Sequence, residues 1–357
     1  MQIDRRVVFW VGVLLVALAL MFVFSSILLP FVAGAALAYL LDPLANWFER
    51  QGFSRFAATM TLLVLFIVVL VALSLLVLPI LVNQILLLAE NIPVYLGRVD
   101  ELVTSILQSS WAQSLGVDPA AVRTSLGGLF NQGATWITTV ITSLWSGGLA
   151  LINILALLVV TPVVAFYLLY DWDRMIALID SWIPRDSVDE VRMLAREVDR
   201  VLAGFVRGQA LVSLTLGTFY AAGLVILGVN FGFLIGLVAG IVSFIPYLGS
   251  TLGFVVSVGI ALLQFWPDWI MPTATAALFI SGQMIEGYIL QPYMIGTNVG
   301  LHPVWLMFAL FAFGVLFGFV GLLIAIPMAA AVGVLVRYAL SRYLAGPLYR
   351  GAGQGEQ

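Results

Sequence analysis

Residues 280–337 hold the side chains of this chain best suited to chemistry. Glu286 is the only acidic residue deep inside an apolar stretch, and His302 is the only histidine in the protein. Around them runs Gln283-x-x-Glu286-Gly287-Tyr288-x-x-Gln291-Pro292, followed by Gly296-Thr297-Asn298-Val299-Gly300-Leu301-His302-Pro303. A carboxylate in apolar surroundings costs several kcal/mol unless it is paired, hydrated or protonated. Glu286 therefore reads as a proton-carrying or cation-binding group, with Gln283, Tyr288 and Gln291 as donors able to hold it ionised. The plainer alternative is a helix-terminal carboxylate at headgroup depth. His302 reads either as a proton relay or as the cap of the helix that Pro303 opens.

Two neighbouring stretches have an awkward length. Residues 231–265 and 304–336 are too long for one comfortable span and too short for two, since a span takes roughly 17–25 residues. Each is broken near its middle, by Ile245-Pro246-Tyr247-Leu248-Gly249-Ser250 and by Phe317-Gly318-Phe319-Val320-Gly321. Breaks at membrane depth are tolerated where they line a cavity or are buried in protein. We therefore expect two re-entrant helical hairpins, with Gly318, Gly321 and Pro327 as hinge or helix-break positions. Leu227-Gly228-Val229-Asn230-Phe231-Gly232 precedes the first stretch, and Ile295-Gly296-Thr297-Asn298-Val299-Gly300 precedes the second. Both read aliphatic-Gly-x-Asn-x-Gly. Asn230 and Asn298 sit where asparagine tolerates left-handed backbone and can cap a helix, or contact a ligand. A repeated span-plus-hairpin unit, inverted in the membrane, has its binding site near the midplane. The expected substrate-binding set is Asn230, Pro246, Tyr247, Gly249, Gln283, Glu286, Gln291, Asn298 and His302.

The elements positioning these residues follow from composition. The chain has 357 residues, 62% hydrophobic and only 9% charged, with a mean hydropathy of +1.12. That predicts an all-α polytopic membrane protein of about eight hydrophobic segments. The expected spans are 7–29, 31–41 with a continuation to about 48, 59–81, 149–170, 209–229 and 270–290, besides the two long stretches. Asp42-Pro43 reads as an early turn. The apolar run after Arg5 and Arg6 is too long for a signal peptide and reads as a retained first span. All fifteen basic residues are arginine, and their clustering puts both termini and residues 171–207 in the cytoplasm and the loop 82–148 outside.

Four regions result. Residues 1–170 form a membrane scaffold, with extracytoplasmic amphipathic helices at 83–148 interrupted by Pro93. Residues 171–207 are a cytoplasmic amphipathic segment in which Ser187-x-x-Glu190 caps a helix packing on the spans. Residues 208–336 are the transport region and 337–357 a cytoplasmic tail. The early spans and outer helices lack polar convergence, which suits a stationary scaffold packing subunit against subunit.

Enzyme readings fare badly. A sole histidine and no cysteine remove His/Cys metal sites and Cys–His nucleophiles. Without lysine there is no phosphate-binding loop. Paired intramembrane carboxylates are missing because no Asp is expected inside a span, and no basic patch suits nucleic acid. No cofactor is expected.

Four ordered motifs carry a resemblance: Phe244-Ile-Pro-Tyr-Leu-Gly249, Gln283-x-x-Glu286-Gly-Tyr-x-x-Gln291-Pro, Gly296-x-Asn-x-Gly-Leu-His-Pro303 and Gly318-x-x-Gly321-x-x-x-Ala325-x-Pro327. Over nearly its whole length the chain resembles the autoinducer-2 exporter family, also called PerM-like permeases. The resemblance implies a transporter of the bacterial inner membrane, lipid-embedded and homo-oligomeric, with pentamers favoured. Its cargo would be a small molecule. For some members the resemblance implies export of the signal autoinducer-2, and for others Na⁺(Li⁺)/H⁺ exchange; the alternative from a different class is a non-transporting oligomeric membrane scaffold. After Pro303 the run Val-Trp-Leu-Met-Phe is bulkier than the glycine-rich stretch the family pattern leads one to expect.

Overall fold

The computed structural model describes residues 20–107, 148–295 and 302–350, with isolated positions 128, 132, 135 and 139. Its helices are α1 (Leu28–Arg50), α2 (Arg55–Leu107), α3 (Gly148–Tyr170), α4 (Trp172–Ser181), α5 (Val188–Ile226) and α6 (Gly232–Val242). They continue with α7 (Leu248–Phe265), α8 (Ile270–Ile285), a π-helical segment (Glu286–Ile295), α9 (Pro303–Ala345) and the short α10 (Pro347–Arg350). Among the described residues five helices are long and apolar enough to cross a membrane, or six if the α3–α4 pair, bent by 62°, is one span. The all-helical membrane class expected from composition is what the chain adopts. Residues 7–19 of the expected first span, Asn298 and most of the outer segment 108–147 lie outside the described residues.

The chain divides into two compact units: Met1–Leu65, Ala156–Gln209 and Gln291–Gln357 in the first, Phe66–Leu155 and Ala210–Leu290 in the second. In the first unit Ala38, Ala45, Leu62 and Leu169 form a core flanked by Leu41, Phe48 and Leu168. Small residues on α1 let α2 and α3 approach closely, as in membrane helix packing generally. Arg55, just after the α1–α2 turn, donates to the Leu169 carbonyl at 2.8 Å, Asn46 at 2.7 Å, Glu49 at 3.0 Å and Asp42 at 3.3 Å.

Asp42-Pro43 does not make the expected turn; both residues lie inside α1. Pro43 offers no N–H to the carbonyl four residues back. That carbonyl belongs to Tyr39, and it accepts instead from Arg207 Nε at 2.8 Å. The helix continues because a distant arginine satisfies the freed group. Asp42 thus lies inside a candidate span after all, contrary to the sequence expectation.

Two further boundaries disappear. Pro79 and Pro93 both lie within α2, so the chain from Arg55 to Leu107 is one 53-residue helix. Likewise α5 runs unbroken from Val188 through residue 208 to Ile226. An apolar stripe on its first half packs on α9: Leu194, Val198 and Val201 meet Ala330 and Val334.

Both over-long stretches fold near their middles. Gly249 of α7 lies against the Ala239 carbonyl and the Ser243 backbone, and Gly253 lies against Ala239. This pairing runs outward from the 243–247 turn, so α6 and α7 form an antiparallel hairpin. Gly318 in α9 has φ 59° and ψ −137°, outside helical geometry. Three residues on, Gly321 meets the Phe313 carbonyl. Eight residues of straight helix would separate them by about 12 Å, so the chain doubles back at Gly318. Pro327 is not a break: Gly318 is the non-helical position inside α9.

Candidate functional site

The candidate site is built in the second unit where α8 passes into the π-helical segment. Glu286 is the first residue of that segment and is only 3% exposed. π-helical runs are rare and occur frequently at functional sites. Gln283, one turn earlier, donates its amide Nε2 to Glu286 Oε2 at 2.7 Å. The same nitrogen donates to Ser250 Oγ at 2.8 Å. Ser250 lies in the first turn of α7, just past the hairpin tip. One amide therefore joins the buried carboxylate to the tip of the hairpin.

Packing around this chain of polar groups is aromatic. Tyr220 of α5 is fully buried and stacks on Phe279 of α8, with ring centroids 4.4 Å apart and 16° between planes. Phe254 of α7 meets the same ring edge-on at 6.2 Å. Beside them Ser250, Thr251, Phe254, Phe279, Gln283 and Tyr288 help line a cleft of about 350 Å³. Its walls are largely apolar with a few converging polar groups, the usual make-up of a small-molecule site.

The expected site residues fare differently. Gln283 and Glu286 come together. Pro246 is in the tip turn, and Tyr247 follows it with φ 66°, a left-handed aromatic residue more than half exposed. Such geometry is uncommon for a residue with a side chain. Gly249 is buried against backbone and closes the hairpin. Asn230 lies at the other end of α6, about 16 Å of helix away. There it is tied by its backbone N–H to Gln264 and by Nδ2 to Tyr95. The left-handed backbone that Asn230 would tolerate falls on Gly228 and Phe231. His302 caps α9, its Nδ1 accepting from the Val304 N–H at 3.3 Å. Gln291 belongs to the π-helical segment and is half-buried.

Sequence reasoning missed Ser250 as a partner, although it closed the quoted break motif, and missed Tyr220, which nothing in its apolar run announces. It also missed a polar network in the first unit. There Tyr39 donates to Asp199 at 3.0 Å and Arg207 reaches Asp42 at 3.5 Å, around a cavity of about 290 Å³ shared with Trp172. Among the described residues no group of three or more acidic, histidine or cysteine side chains could hold a metal.

A set of long apolar helices, two doubled-back stretches and a buried carboxylate define a multi-pass membrane protein with a polar site inside it. The family model for AI-2E family transporters matches residues 9–341, and the chain belongs to that family. It is 25% identical over 355 residues to "Putative transport protein YrrI" of Bacillus subtilis (strain 168), covering 94% of this chain and 97% of that one. It is 26% identical over 337 residues to "Putative permease PerM" of Escherichia coli (strain K12), covering 93% of each.

Proposed function

We propose that this protein is a secondary transporter of the bacterial inner membrane, exporting a small, polar, uncharged metabolite such as autoinducer-2 by alternating access. One observation carries the reading. The buried Glu286 is linked through the neutral Gln283 amide to a hydroxyl at a hairpin tip, beside a cleft of small-molecule size. Neutral hydrogen-bonding groups suit a hydroxylated cargo, and a titratable group behind them suits coupling to an ion gradient. Efflux of the labelled signal from vesicles, with and without the protein, tests it directly. Equal rates would remove the cargo assignment.

A second reading keeps the site and changes the cargo: Na⁺(Li⁺)/H⁺ exchange centred on Glu286. The burial of that carboxylate favours it, since a buried acid is costly to keep without a use. Under either reading the chain is homo-oligomeric, with pentamers favoured, and its termini are cytoplasmic. Native mass spectrometry finding only monomers in lipid would contradict the assembly.

The two doubled-back stretches enter the bilayer from opposite faces under this proposal. Tyr247 and Phe319 are both more than half exposed, at 54% and 59%. In this cysteine-free chain, Tyr247→Cys is expected to react with a small aqueous thiol reagent from outside, and Phe319→Cys from inside. Inert positions, or labelling from one side only, would count against the re-entrant arrangement.

A further inference from the structure

A helical hairpin leaves unsatisfied groups at its open end, where its first helix begins and its second one stops. At the open end of α6–α7 these are the first N–H groups of α6 and the last carbonyls of α7. Phe231, at the N-cap position of α6, supplies no side-chain cap. Gln84 of α2 supplies one instead, its Oε1 accepting from the Leu234 N–H at 2.9 Å. At the other terminus Arg98 of α2 donates to the Leu263 carbonyl at 2.7 Å and the Gln264 carbonyl at 3.2 Å. An acceptor thus meets the positive end of one helix dipole, and a cation meets the negative end of the other.

Between these caps lies a third tie. The Tyr95 hydroxyl accepts from Asn230 Nδ2 at 3.1 Å, and its ring meets Phe231 edge-on at 6.4 Å. Gln264 closes the end, accepting from the Asn230 N–H at 2.7 Å and donating to the Gly228 carbonyl at 2.8 Å. Gln84, Tyr95 and Arg98 belong to one continuous helix.

We infer that residues 84–98 of α2 are a positioning arm: they cap both open ends of the α6–α7 hairpin and travel with it as one body. The arm fixes the hairpin at its base, and so fixes where the tip presents Ser250 to Gln283 and Glu286. This differs from the stationary subunit scaffold that the sequence suggests for this segment. What the arm serves rests on the transport reading, but its test does not.

Amide hydrogen exchange in the full-length protein reads the caps separately. Removing a side-chain N-cap costs on the order of a five-fold change in local opening. Gln84→Ala is expected to speed exchange in the first turn of α6 by about that factor, while Gln84→Glu, which keeps the acceptor, restores protection. Arg98→Ala is expected to act on the last turn of α7, with recovery in Arg98→Lys. Unchanged exchange at both ends, or faster exchange everywhere including α8, would overturn the arm. If Gln84→Ala does not fold, the Arg98 pair decides. Spin labels at Val94→Cys and Val238→Cys, exposed positions outside the ties, should give one narrow separation at acidic and alkaline pH alike. A separation that shifts or splits would overturn the single body.

Discussion

Glu286→Gln is expected to fold as well as the parent and to lose all response to an imposed proton or sodium gradient. Glutamine keeps an acceptor for the Gln283 amide, so the hydrogen bond to Ser250 and the packing of Tyr220 on Phe279 survive. It also removes a carboxylate that is only 3% exposed. Replacing a buried charge by a neutral group of like shape is often neutral or stabilising, so the thermal midpoint in detergent is expected to hold or rise. Glu286→Ala should behave otherwise. It leaves the Gln283 N–H without its acceptor, at a cost of about 1–3 kcal/mol. Transport assays with each gradient, run beside thermal unfolding, separate the outcomes. Full gradient dependence in Glu286→Gln would sink both readings of the site. Retained export with lost cation response would select the metabolite over cation exchange.

Gly249→Ala is the second large effect expected. A Cβ there falls within 3.0 Å of the Ala239 carbonyl and of the Ser243 N–H and hydroxyl. Two of those atoms are backbone and cannot turn aside, so the hairpin must open. Overpacking of this kind costs about 1–3 kcal/mol, occasionally more. Gly318→Ala is the instructive contrast. Its φ of 59° disfavours a side chain, by roughly 1–2 kcal/mol, but the space around it is open. Thermal unfolding should rank Gly249→Ala as the less stable, with its loss of activity exceeding its loss of folded protein. A Gly249→Ala protein with parental stability and activity would show that the tip is not closed as described.

The helical membrane class was legible because composition alone forbids a soluble core of this kind. Both fold-back points were legible from length, since no single span needs 33 or more residues. What escaped were features decided by distant partners. Asp42-Pro43 looks like a turn until Arg207, 164 residues beyond Pro43, takes the carbonyl that the proline frees. Pro93 looks like an interruption, yet α2 passes through it. Gln283 and Glu286 were found because polar residues stand out in apolar sequence. Tyr220 was not, because a tyrosine among aliphatic residues looks like ordinary core. The π-helical geometry that starts at Glu286 has no periodicity signal strong enough to read, although Gly287 and Pro292 lie within it.

The protons of Gln283 decide what it can offer a guest. A glutamine amide has two N–H donors and one carbonyl acceptor. Both donors are committed, one to Glu286 and one to Ser250. What Gln283 can still offer a guest, without breaking either bond, is its oxygen. A molecule that engages it must therefore bring a hydroxyl or N–H of its own. An O-methylated or carbonyl-only analogue of the same size and shape would leave that oxygen facing an acceptor. Sites that hydrogen-bond a substrate hydroxyl reject the analogue lacking it far more sharply than sites that merely fit its shape. Under the transport reading, polyols are therefore expected to bind better than their ethers.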